Sequence, residues 1–185
     1  MRSREEHGRA DGELAAAPPS PPTDRCDECG YVYDLDTAPQ VPALLSEYAQ
    51  RYQELLSAPV GALARRPAPE VWSPLEYSCH VRDVLIVQRE RLLAARRTDD
   101  PVAEPMGRDE RAEHDGYAEQ LPADVARQLT DAAALLRNAL ERLTPRDWQR
   151  TLVYNYPQRA QRSLRWLAVH TLHELHHHLQ DARRS

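Results

Sequence analysis

Five of the eight histidines stand between His170 and His178, and imidazoles at helical spacing are the side chains that most readily gather a divalent ion. On a helix turning about 100° per residue, with His173 at zero, His177 falls at about 40°, His170 at about 60°, His176 at about −60° and His178 at about 140°. His173 and His177 are thus a stacked pair with His170 one turn below, and His178 is expected to face elsewhere. The string His173-Glu174-Leu175-His176-His177 matches H-E-x-x-H, in which two imidazoles on one helix face share a zinc ion. No spaced third ligand follows it, so the third must come from another helix. His80 is the candidate: it shares a helical face with Tyr77, Val84 and Val87. Glu76 and Asp83 sit four before and three after it, able to accept from its second ring nitrogen. The same residues also read as a satisfied core histidine and a solvated histidine-rich tract.

Cys26-Asp27-Glu28-Cys29-Gly30 has the form of one zinc knuckle, Gly30 allowing the turn that points backbone amides at the sulfurs. It is half a site, since no second CxxC exists, and neither His7 nor Cys79 evidently completes it. Three readings stay open: a second metal site, shared across a homodimer; a redox or regulatory thiol pair; or no chemistry at all. His114, next to Asp115 in an acidic stretch, is a candidate general base or ligand, or else part of a surface turn. Tyr154, Asn155 and Tyr156 either line the mouth of the site or pack an irregular connector.

Four helices must position these groups. Val41, Leu44, Leu45, Tyr48, Tyr52, Leu55 and Leu56 recur at steps of three and four, predicting a first helix between Pro39 and Ala58. Ser73, Pro74 and Glu76 form a capping box that starts a second helix running to about Arg97. From Thr98 to Gln120 the period is lost and eight acids face two arginines, the mark of a crossover or lid. A third helix is predicted from about Ala123 to Leu143, then an ordered connector, Arg146 to Arg165, with no convincing strand pair. The fourth helix starts with Ser163 as N-cap and carries the histidines, with Arg183 and Arg184 at the negative end of its dipole. The expected fold is an all-α four-helix bundle over residues 39–185, with a long crossover that makes helices two and three parallel. Residues 26–38 form a CxxC segment. Residues 1–25, rich in Ala, Pro and charge, are expected to be a disordered tail.

A net charge of −5 argues against nucleic acid or an anionic membrane as the partner. No apolar run long enough to span a bilayer and no apolar leader is present, so the expectation is a cytoplasmic protein with reduced thiols. The basic residues are all arginine and phenylalanine is absent, a bias read as the imprint of a GC-rich genome.

VWSPLEYSCHVRDVL, with His80, and HELHHHLQD, with His173 and His177, resemble the two signature stretches of the DinB/YfiT-like four-helix-bundle family. The resemblance covers roughly residues 40–184. It implies His80, His173 and His177 as ligands of a divalent metal, zinc first, with nickel or iron as alternatives. It further implies a transferase that activates a low-molecular-weight thiol, mycothiol being the first to try, against a small electrophile. The chain departs from the family at His178 and Leu179, where Arg and Gly are common, and in its added CxxC. The alternatives are a non-enzymatic metal-binding or stress-associated interaction protein and a metal-dependent hydrolase.

Overall fold

The computed structural model describes residues 25–156 and 158–185, so the expected tail lies outside it except for Arg25. Six helices follow in order: α1 (Val41–Leu56), the single turn α2 (Val60–Leu63), α3 (Pro74–Arg97), the short α4 (Arg108–His114), α5 (Pro122–Leu140) and α6 (Leu164–Arg184). Of these, α1, α3, α5 and α6 are the four expected bundle helices.

The start of α3 is held as its sequence requires. Ser73 Oγ accepts from the Glu76 amide at 3.3 Å, and Glu76 Oε2 accepts from the Ser73 amide at 2.9 Å. Glu76 is also paired with Arg66, so its carboxylate is buried but not unpaired. Ser163 caps α6 by accepting from the Trp166 amide at 3.2 Å.

Contacts along the helices settle their directions. Arg82, near the start of α3, donates to Gln128, near the start of α5, at 2.7 Å. At the other end Arg96 lies 3.9 Å from Asp147, just beyond α5. These two helices are therefore parallel, as the long crossover demands. Gln53 donates to Thr130 and Arg137 to Ser46, which makes α1 antiparallel to α5. Tyr77 and His80 on α3 meet His178 on α6, while Gln88 and Arg91 meet Tyr154 just ahead of α6, so α3 and α6 are antiparallel as well. The larger of two core clusters among the described residues runs through the bundle, built from Leu45, Tyr52, Leu85, Leu92, Leu129, Leu136, Leu167 and Leu175 among others; the smaller gathers Leu63, Leu75 and Tyr117 near the start of α3.

The connector before α6 departs from expectation by holding a strand pair. Thr151–Tyr154 (β1) and Ala160–Ser163 (β2) are antiparallel in the register Thr151↔Ser163 to Tyr154↔Ala160. Only Leu152 and Tyr154 point inward; with AQRS as partner, the alternation is too short to be read as a strand. The crossover joins this hairpin: the Ala103 amide donates to Val153 O at 2.8 Å and the Val153 amide to Pro101 O at 2.9 Å. The crossover also contains α4 and a short turn at Tyr117–Glu119, whose Tyr117 is buried against α3.

Ahead of α1, residues 25–32 form a small loop closed by an Arg25–Val32 bridge. The Cys26 amide donates to Tyr31 O and the Gly30 amide to Cys26 O, both at 2.8 Å. Gly30 takes φ +73°, the left-handed conformation in which a side chain is strained. This is the knuckle turn that the CxxCG spacing predicts.

Candidate metal centre

On α6 two stacked pairs run side by side, His173 with His177 and, about 100° around the helix, Glu174 with His178. They face different partners. His173 and His177 meet Cys26 and Cys29, and the four ligating atoms lie within 4.8 Å of one another. Glu174 and His178 meet His80 of α3 within the same limit. The expected triad of His80, His173 and His177 is therefore divided: His80 converges with the neighbouring pair, not with His173 and His177. The reason is rotational, because one residue's turn of α6 decides which pair faces α3 and which faces the N-terminal loop. His178, expected to point elsewhere, has its ring 4.7 Å from that of His80.

In the His80 cluster, His178 Nδ1 lies 3.1 Å from Asp181 Oδ2, and its Nε2 is 3.7 Å from Glu174 Oε2. Burial disfavours a charged His178, but Asp181 and Glu174 outweigh it and push its pKa up to about 9. Burial, followed by the charge on His178, takes His80 the other way, down to about 3, so His80 is neutral with a free lone pair. Burial also opposes ionisation of Glu174. The hydrogen bonds from His173 and His178 nevertheless hold its carboxyl well below the usual range. His80 Nδ1 is buried without any hydrogen-bond partner among the described residues. An orphaned buried imidazole nitrogen costs desolvation energy unless something binds it. With His178 and Glu174, His80 makes a set of two imidazoles and one carboxylate, suited to a divalent transition metal.

Aromatic rings wall this cluster. The Trp72 ring lies 5.3 Å from His80, and Tyr77 stacks 5.6 Å from His178. The crossover supplies a rim: the Arg108 guanidinium sits 5.4 Å over Trp72. Tyr117 donates to Asp83 at 2.6 Å, anchoring the crossover on α3.

The second cluster is held from outside in the same manner. The Tyr33 hydroxyl lies 2.8 Å from His173 Nδ1 and 2.9 Å from His170 Nδ1. His177 Nδ1 is 3.8 Å from Cys26 Sγ, while its Nε2 is 3.3 Å from Glu28 and 3.4 Å from Asp181. Burial works against a Cys26 thiolate. The Cys29 and Glu28 amides and the two histidines win, bringing the pKa down to about 6. Desolvation raises that of Cys29, and pushes the buried Cys79 up to about 12, so Cys79 is inert.

His114 is exposed at the end of α4, beside a cavity of about 250 Å³ that it lines with Arg111 and Asp115. It joins none of the metal-ligating clusters among the described residues. Tyr154 packs against Trp166 and His170 in the interior, and Tyr156 is exposed. Sequence reasoning did not single out Glu174 and His178 as the pair that meets His80, although their spacing of four was in plain view. Tyr33 and Asp181 carried no sequence signal of their own.

The four long helices run up, down, down and up, with a long crossover between the parallel pair and a histidine-bearing last helix that meets the second, which defines a class of four-helix bundle with clustered metal-ligating side chain types. The family model of the DinB superfamily matches residues 44–182, and the chain belongs to that superfamily. Among curated proteins none matches the chain. The solved structure of YfiT from Bacillus subtilis, described as "a probable metal-dependent hydrolase with an unusual four-helix bundle topology", is similar to it. Its TM-score is 0.67 at 16% identity over 86% of this chain and 92% of that one. At that identity the likeness speaks for the fold.

Proposed function

We propose that the protein is a metal-dependent enzyme whose divalent ion is held by His80, Glu174 and His178, and that it transfers a low-molecular-weight thiol to a small electrophile. The observation that carries the metal reading is the buried, unpartnered Nδ1 of His80 beside two further ligating side chains. The thiol reading rests on the resemblance of the His80 and histidine-tract stretches to the thiol-transferring members of the superfamily. A divalent ion in a three-ligand set supplies Lewis acidity and brings a bound thiol or water to ionise near neutral pH.

The chain's own groups prepare that site. His80 presents a neutral ring from α3, and Asp181 accepts from His178 Nδ1, keeping the opposite nitrogen turned toward Glu174. Trp72 and Tyr77 offer apolar faces to an organic substrate. Arg108 places a positive charge at the rim where a carboxylate-bearing thiol or electrophile would enter. In the transfer the thiol sulfur forms a bond to the electrophilic carbon. The leaving group departs with the bonding pair, and the thiol proton passes to it or to water.

A metal-dependent hydrolase, the "probable" description given to YfiT, is the second reading, supported by the shared fold. Incubating metal-loaded protein with mycothiol or a surrogate and a panel of electrophiles, and following thiol loss, separates the two. Thiol-dependent product that vanishes in His80→Ala and His178→Ala supports the transferase. Hydrolysis without thiol supports the second reading, and neither turnover across a broad panel rejects an enzyme. Retention of full metal content by His80→Ala would remove the site itself.

A further inference from the structure

The CxxC loop is unexplained by the His80 centre, and its surroundings carry a separate conclusion. We propose that Cys26, Cys29, His173 and His177 form a closed four-ligand zinc site that staples the N-terminal loop to α6. The four ligating atoms lie within 4.8 Å of one another. Zn–S of about 2.3 Å and Zn–N of about 2.0–2.1 Å at a tetrahedral angle put sulfur and nitrogen about 3.5 Å apart. Cys26 Sγ and His177 Nδ1 stand at 3.8 Å before any ion draws them in.

The histidines are presented as ligands are. His173 has Nδ1 occupied by the Tyr33 hydroxyl, while its Nε2 is buried with no partner among the described residues. His177 turns Nδ1 to Cys26 and leaves Nε2 to the carboxylates of Glu28 and Asp181. In each ring one nitrogen is engaged by a hydroxyl or carboxylate, while the other is left without a partner among the described residues in His173 and turned to Cys26 in His177, the arrangement that orients a metal-bound imidazole. The loop itself has the knuckle turn at Gly30.

Charge and topology say what such a site is for. Two thiolates and two neutral imidazoles cancel the +2 of the ion, and four protein ligands leave no open position, which is a structural centre. Cys26 and His177 are 151 residues apart in the chain. The loop at 25–34 contributes Tyr31 and Tyr33 against α6 but no core of its own, so a metal crosslink offsets its closure entropy.

The test uses the untagged full chain. Zinc analysis should find about one equivalent that a mercurial releases together with two thiols. Replacement by Co²⁺ in the wild-type protein should give tetrahedral visible bands and a thiolate-to-cobalt charge-transfer band. Cys26→Ser and Cys29→Ser should abolish that band and lose about one equivalent of metal. His80→Ala should keep the band while losing the other equivalent, so the two sites fail independently. A wild-type cobalt spectrum without thiolate charge transfer, or a Cys26–Cys29 disulfide in protein purified anaerobically, overturns the proposal. So does full metal content in Cys26→Ser. The wild-type spectrum decides even if the variants do not fold.

Discussion

Asp181 stands behind both clusters, with Oδ2 3.1 Å from His178 Nδ1 and 3.4 Å from His177 Nε2. Asp181→Asn keeps the shape and removes the charge that orients both rings. Loss of a carboxylate behind a ligating imidazole weakens metal binding by about 10–100-fold, or about 1.4–2.7 kcal/mol. Here the loss should fall on both sites. Chelator competition, run in His80→Ala and Cys26→Ser backgrounds to isolate each site, reads the two affinities separately. The metal-free protein offers a second measurement. His178 is raised from 6.5 to about 9, against the effect of burial, by Asp181 first and then Glu174. A histidine raised in the folded state stabilises it fully below its ordinary pKa, and that contribution fades as pH climbs through the folded value. A hydrogen bond to a charged group contributes about 1.5–3 kcal/mol. Metal-free Asp181→Asn should therefore be less stable by that order at pH 6, and the deficit should shrink toward pH 10. Wild-type affinity at both sites, or a deficit that grows with pH, would refute the reasoning.

Tyr117→Phe removes the hydroxyl that donates to Asp83 at 2.6 Å; because Arg82 still pairs with Asp83, the expected loss is about 1.5 kcal/mol, read as a lower urea midpoint at unchanged slope. Glu76 is held below its ordinary value despite burial, by Arg66 and by the Ser73 hydrogen bonds, so its contribution is complete above about pH 4.5 and is lost as pH falls through its folded pKa. Glu76→Gln should then be less stable at neutral pH and show a smaller further loss on acidification, and an acid limb identical to wild type would contradict this.

The four bundle helices were legible because each carries its own local signals. The Ser73 capping box, the Ser163 cap and the stripes of α1 and α5 all appear where residue types and helical period place them. The parallel pairing of α3 and α5 followed from the length of the crossover. The hairpin at Thr151–Ser163 was not legible: its hydrogen bonds join residues whose side chains hardly alternate, and the crossover completes it from fifty residues away.

The candidate site divides along the same line. Sequence alone identified the histidines of α6 as candidate ligands, the inward His80 and the CxxC turn, because chemistry and spacing are local properties. It could not assign partners. His173–His177 and Glu174–His178 have identical spacing on one helix, and only the rotation of α6 in the bundle decides which pair meets α3 and which meets the loop at Cys26. That rotation is set by Leu167, Leu172, Leu175 and Leu179 packing into the core and by Tyr33 and Tyr52 bonding to α6. The two tyrosine bonds join segments more than a hundred residues apart, and tertiary packing alone brings them together.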